Sequence, residues 1–120
     1  MGEYDLKKRT KRFALDVTRF VEALPKDDTC RILGRQLLRA GTSVGANYRA
    51  ACRAKSNADF LSKMGTVEEE ADETSYWLEL LVEDGKVTEA KAKPLILEAD
   101  ELLAIAVSSI NTARKSGGRP

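Results

Sequence analysis

Ala40-Gly41-Thr42-Ser43-Val44-Gly45-Ala46-Asn47 decides how many helices this chain contains. By propensity the stretch breaks a helix, since two glycines and three small polar residues together cost a few kcal/mol. The competing reading is a continuous helix in which Gly41, Gly45 and the alanines at 40, 46, 50 and 51 form a thin face. Such a face admits a close neighbour, and tertiary packing then outweighs propensity. On the residues alone the two readings are balanced.

On either side of this stretch the pattern is helical. A first segment from about Tyr4 to Ala23 carries Leu6, Phe13, Val17, Phe20 and Leu24 at heptad spacing and stops at Leu24-Pro25. A second begins near Asp27 or Asp28, with Ile32, Leu33, Leu37 and Leu38 as its expected apolar face. The third is the most regular: Phe60, Met64, Val67, Ala71, Thr74, Leu78 and Leu81 alternate steps of four and three, from a Ser56 or Asn57 cap to a stop at Asp84-Gly85. A fourth follows a Thr88 cap and repeats Leu95, Leu102 and Ser109 beside Ile96, Leu103 and Ile110, with a kink or loose first turn expected at Pro94. No segment alternates like a strand. Short connections make sequential helices antiparallel neighbours, so the expectation is an all-α, up-down-up-down four-helix bundle over residues 1–115, with a polar tail at 116–120.

Composition closes many functional classes. The 120 residues contain no histidine, which removes Ser-His-Asp and Cys-His nucleophiles, His-bound zinc, haem His ligation and the usual pH switch. Cys30 and Cys52 are not a CxxC pair and read as small half-buried thiols of a reducing cytosol. Neither a signal peptide nor a membrane-length apolar run is evident, so a soluble cytoplasmic protein is expected.

Two motifs carry a resemblance. The run from Cys30 to Ala51, including Arg39, Gly41, Thr42, Ser43, Gly45, Asn47, Tyr48 and Arg49, is the first. The second comprises Ala58-Asp59-Phe60 and the stretch from Glu70 through Glu73 and Trp77 to Leu81. Together they closely resemble the bacterial four helix bundle protein family, also called the S23 ribosomal protein or 23S rRNA intervening-sequence protein family. The resemblance extends over about residues 5–112. It implies a four-helix bundle with a continuous second helix, a homopentameric ring and no established enzymatic activity or cofactor. Relatives include accessory proteins of diversity-generating retroelements, whose basic pentameric barrels associate with a reverse transcriptase and nucleic acid. The net charge of +1 here departs from those strongly basic proteins.

That near-neutral total conceals a division. Residues 1–55 hold 13 Lys and Arg against 6 Asp and Glu, net +7, whereas residues 56–110 hold 4 against 13, net −9. One reading is complementarity between subunits, because oppositely charged faces suit a head-to-tail ring. The other is a footprint for RNA or DNA, or for a nucleic-acid enzyme, centred on Lys7, Lys8, Arg9, Lys11 and Arg12. Glu69, Glu70 and Glu73 form an EExxE pattern. With Glu98, Asp100 and Glu101 it is similar to the Mg²⁺ site of all-α nucleotide pyrophosphohydrolases, the alternative to a non-enzymatic scaffold or a purely structural assembly module. Acidic density of this kind is more often a solvated face, and no metal or other cofactor is expected. Glu70 and Glu73 lie beside the Thr74/Leu78 stripe, which predicts an ion pair with Arg49 or Arg53. Trp77 is expected at the outer core or at a subunit contact.

Overall fold

A computed structural model describes residues 2–117. It has four helices, α1 (Glu3–Glu22), α2 (Asp28–Cys52), α3 (Asn57–Glu83) and α4 (Glu89–Gly117), and no strand among the described residues. Local chemistry sets each boundary. The Asp27 carboxylate accepts the Cys30 N–H at 2.8 Å, the Ser56 hydroxyl accepts the Asp59 N–H at 3.0 Å, and the Thr88 hydroxyl accepts the Lys91 N–H at 3.3 Å. Each satisfies an otherwise orphaned donor of the first turn. Past α3, Gly85 takes a φ of +75°, a conformation that penalises any Cβ. α4 runs on through Gly117, so Ser116 and Gly117 are helical; the rest of the expected tail, 118–120, lies outside the described residues.

α2 passes unbroken through 40–47. Close packing against α1 is the reason. A Cβ on Gly41 would lie 2.8–3.0 Å from three side-chain carbons of Val17, and one on Gly45 would lie 3.2–3.3 Å from Thr10. Gly34 is similarly tight against Leu24 and Val21. The α1 partners thus fall from 24 to 17 to 10 as the α2 glycines rise from 34 to 41 to 45. The polar residues of the stretch do not compete with the helix. Thr42 donates its hydroxyl to the Leu38 carbonyl at 2.7 Å, and Asn47 donates its amide to the Ser43 carbonyl at 2.9 Å.

This packing also rotates the buried face of α2 away from the expected one. Ile32 is 58% exposed and Leu33 and Leu38 are only half-buried, while Cys30, Gly34, Leu37, Ala40, Gly41, Val44, Gly45, Tyr48 and Ala51 face inward. A seam of small residues lets the backbones approach, which bulky leucines there would prevent. In α4 the helix continues through Pro94, which sits exposed within its second turn. Leu95, Leu102 and Ile110 are buried, alternating with Ala92, Ala99 and Ala106.

The helices stack in chain order, α1 on α2, α2 on α3 and α3 on α4, with a short α1–α4 contact. They form a rod of 55 × 23 × 20 Å. Phe13, Leu37, Met64, Leu78, Leu81, Val17 and Val44 are its largest fully buried apolar side chains. Among the described residues, no helix is long and apolar enough to cross a membrane.

Candidate nucleic-acid interface

One end of the rod collects positive charge from three helices. Leu6 and Thr10 of α1 close around the same spot as Tyr48 of α2, Met64 and Val67 of α3, and Leu102, Ile105 and Ala106 of α4. Asn57, at the start of α3, donates to the Ala113 carbonyl at 3.2 Å. The start of α1, the end of α2, the start of α3 and the end of α4 therefore share this end.

Consequently Lys7 and Lys8 of α1 have Arg49 and Arg53 of α2, Lys55 beyond it, and Arg114 and Lys115 of α4 as company, with Lys11 and Arg12 further along, at the middle of α1. All are exposed except Lys7, which is half-buried. Basic residues in the last turns of α2 and α4 also complement the negative ends of those helix dipoles. Acidic residues are also present: Glu68 and Glu69 of α3 line one cleft with Arg114. Asp5 is exposed, and Asp59 is occupied, accepting from Lys63 Nζ at 2.8 Å and the Lys55 N–H at 3.2 Å. These two donors, the Lys63 ammonium first, hold the Asp59 carboxyl below its ordinary range. Arg12 pairs with Asp16 at 3.2 Å, an exposed contact of little energetic weight that leaves the guanidinium accessible.

Arg9 does not belong to this surface. Its Nε and Nη2 donate to Glu98 at 2.6 and 2.7 Å, and Nη2 lies 3.3 Å from Glu101. The two-pronged bond to Glu98 pushes the guanidinium still further toward its charged form. Arg9 is thus the polar link between α1 and α4. Nothing in the local sequence distinguishes it from its basic neighbours; only the facing carboxylate on α4 does.

The predicted Arg49 or Arg53 pair with α3 also fails, and Arg39 replaces it. Arg39 donates to Glu70 at 3.0 and 3.4 Å and to Glu73 at 2.9 Å. Arg49 lies ten residues further along α2, roughly 15 Å at 1.5 Å per residue, and is exposed. Hydrogen bonding to Glu70, then its charge, shifts the Arg39 guanidinium upward. Here Glu70 is buried and Glu73 half-buried.

These pairings dismantle the imagined Mg²⁺ site. Glu69 is exposed and lines a cleft with Glu68 and Arg114, Glu70 and Glu73 are tied to Arg39, Glu98 and Glu101 to Arg9, and Asp100 accepts from the Ser75 hydroxyl at 3.2 Å. Among the described residues no group of three or more ligating side chains could hold a metal ion. Trp77 is half-buried against the core, its Nε1–H enclosed without a partner, and Tyr76 meets it edge-on at 5.0 Å.

This architecture has known counterparts. The family model for the 23S rRNA-intervening sequence protein matches residues 2–108. The chain belongs to that family. A crystal structure at 1.70 Å of a protein of unknown function, from the S23 ribosomal protein family of Bacteroides thetaiotaomicron VPI-5482, is similar: 34% identical, with a TM-score of 0.81 over 87% of this chain and 96% of that one. No curated protein matches the chain. For this 23S rRNA-intervening sequence family member, what the solved counterpart shares is the helical fold.

Proposed function

We propose that this family member is a non-catalytic, self-assembling cytoplasmic scaffold that holds structured RNA or duplex DNA, or an enzyme bound to them, at its basic end. One observation carries the reading: cations far apart in sequence, Arg49 and Arg53 of α2 and Arg114 and Lys115 of α4, share one end of the rod, and Lys11 and Arg12 carry exposed positive charge along α1 toward its middle. Convergent, accessible Lys and Arg are what phosphate backbones require. The up-down-up-down arrangement is supported by the opposite running of the α1 and α2 contacts and by the Lys86–Asp27 pair at 3.4 Å, which joins the two turns at the other end. The family resemblance supports a homopentameric ring, in which such ends would lie side by side.

Gel retardation of a labelled RNA hairpin and a DNA duplex tests the reading. Binding is expected at about 50 mM salt and is expected to fall by orders of magnitude by about 200 mM, through counterion release. The variants R49E/R53E and R114E/K115E each flatten that salt dependence and weaken binding. Absence of retardation at low salt, or binding indifferent to both variants, overturns it.

A further inference from the structure

Two surface features lie outside the basic end, and they complement each other. The first is a groove of about 450 Å³ beside the α1–α2 turn, with Val21, Leu24 and Leu38 among its apolar walls and Lys26, Arg31 and Arg35 around it. Asp27 also lines it but is engaged by the Cys30 N–H and Lys86. Arg31 makes only an exposed pair with Asp28, at 2.8 Å. The second feature is a stripe on α3. Tyr76, 53% exposed, stands between Asp72 and Glu79 at helical steps of four and three, with Glu69 and Glu83 a turn beyond; all four carboxylates are exposed.

We infer that the groove receives Tyr76 from a second copy of this chain, with the acidic residues of the α3 stripe facing Lys26, Arg31 and Arg35. Charge complementarity decides the occupant: a groove rimmed by cations meets a tyrosine bracketed by carboxylates, both on one near-neutral chain. Tyrosine suits the role, offering a broad apolar ring with a polar tip at small entropic cost. Height agrees as well. Arg39 contacts Glu73, and Asp27 pairs with Lys86 at the adjacent end. Arg35 and Tyr76, each one turn from the Arg39–Glu73 contact toward that end, therefore stand at one level along the rod. Groove and knob are different surfaces, so the contact is head-to-tail, and equal height lets copies pack side by side and close into a ring instead of climbing into a filament.

The inference rests on the self-assembly part of the proposed function. Light scattering coupled to size exclusion, on the full chain at about 100 mM salt, tests it. Wild type is expected to be oligomeric, whereas Y76A, R31E/R35E and D72R/E79R are each expected to raise the dissociation midpoint about tenfold or more in concentration. Combining R31E/R35E with D72R/E79R in one chain restores assembly, because both surfaces are then reversed. Circular dichroism of each variant should match wild type, since the replaced side chains are exposed. An oligomeric wild type whose variants remain equally assembled overturns this interface but leaves self-assembly standing. A monomeric wild type overturns both.

Discussion

Arg39 holds two α3 carboxylates with one guanidinium, and the burial of Glu70 sets what that is worth. The Glu70 side chain retains 11% of its exposure whereas that of Arg39 retains 50%, so the arginine is the solvated partner and the glutamate the committed one. Removing Arg39 strands a buried charge, the costly half of breaking such a pair. R39A is expected to destabilise the fold by roughly 1–2 kcal/mol in urea unfolding, less than for a wholly buried pair because water reaches Arg39. R39K falls between, since lysine cannot bridge two carboxylates with a rigid fork. E70Q in the R39A background should recover part of the loss; if R39A matches wild type, the pair is a surface ornament. The need for an arginine partner to Glu70 is legible in the sequence, because a carboxylate beside a core stripe must be neutralised. Which arginine supplies it is not, since Arg39 and Arg49 are distinguished only by the register between α2 and α3.

Register is a property of elements, and glycine sets it here. Gly41 and Gly65 both occur inside helices, yet their surroundings oppose. A Cβ at Gly41 collides with the fully buried Val17, whereas one at Gly65 meets nothing within 4 Å. G65A is therefore expected to stabilise by about 0.8–1 kcal/mol, the propensity gain alone. G41A should destabilise by about 1–3 kcal/mol despite the same gain, because the close-packed seam cannot give way. Adding V17A to G41A should cost less than the two single losses summed, a coupling that a propensity effect would not produce. Equal responses to G41A and G65A would refute the seam. Pro94 is a third case: exposed and inside α4, it deprives the helix of one N–H, so P94A should raise stability by roughly 1–3 kcal/mol in thermal or urea melts. Caps and heptads were legible because they are local chemistry. The continuity of α2 was balanced because its stabilisation resides in α1, and the displaced face of α2 follows from the same seam.

Across the whole molecule, the absence of histidine shapes the response to pH. No side chain with an ordinary pKa between 5 and 7 is present, so the urea midpoint should be flat over that range at fixed protein concentration. The acid limb belongs to carboxylates whose charged form the fold favours. Asp27 is held below its ordinary value by the Cys30 N–H and then by Lys86, and Asp59 is lowered by Lys63 and the Lys55 N–H. A lowered pKa gives stability that is present above the unfolded value, about 3.9, and is lost as pH falls through the folded one. Stability should therefore decline below about pH 4. At the alkaline side the sign reverses. Asp27 raises Lys86, so that contribution is full below about 10.4 and disappears as pH climbs through the raised value. Asp27 takes part in both limbs because it caps α2 and also reaches across to the α3–α4 turn. D27N keeps a competent cap, asparagine being as good there as aspartate, but removes the charge. It should leave most neutral-pH stability in place while flattening the acid limb and part of the alkaline one. An unchanged acid limb in D27N would mean that Asp27 does not link the two turns in solution, and would place the acid sensitivity on Asp59 instead.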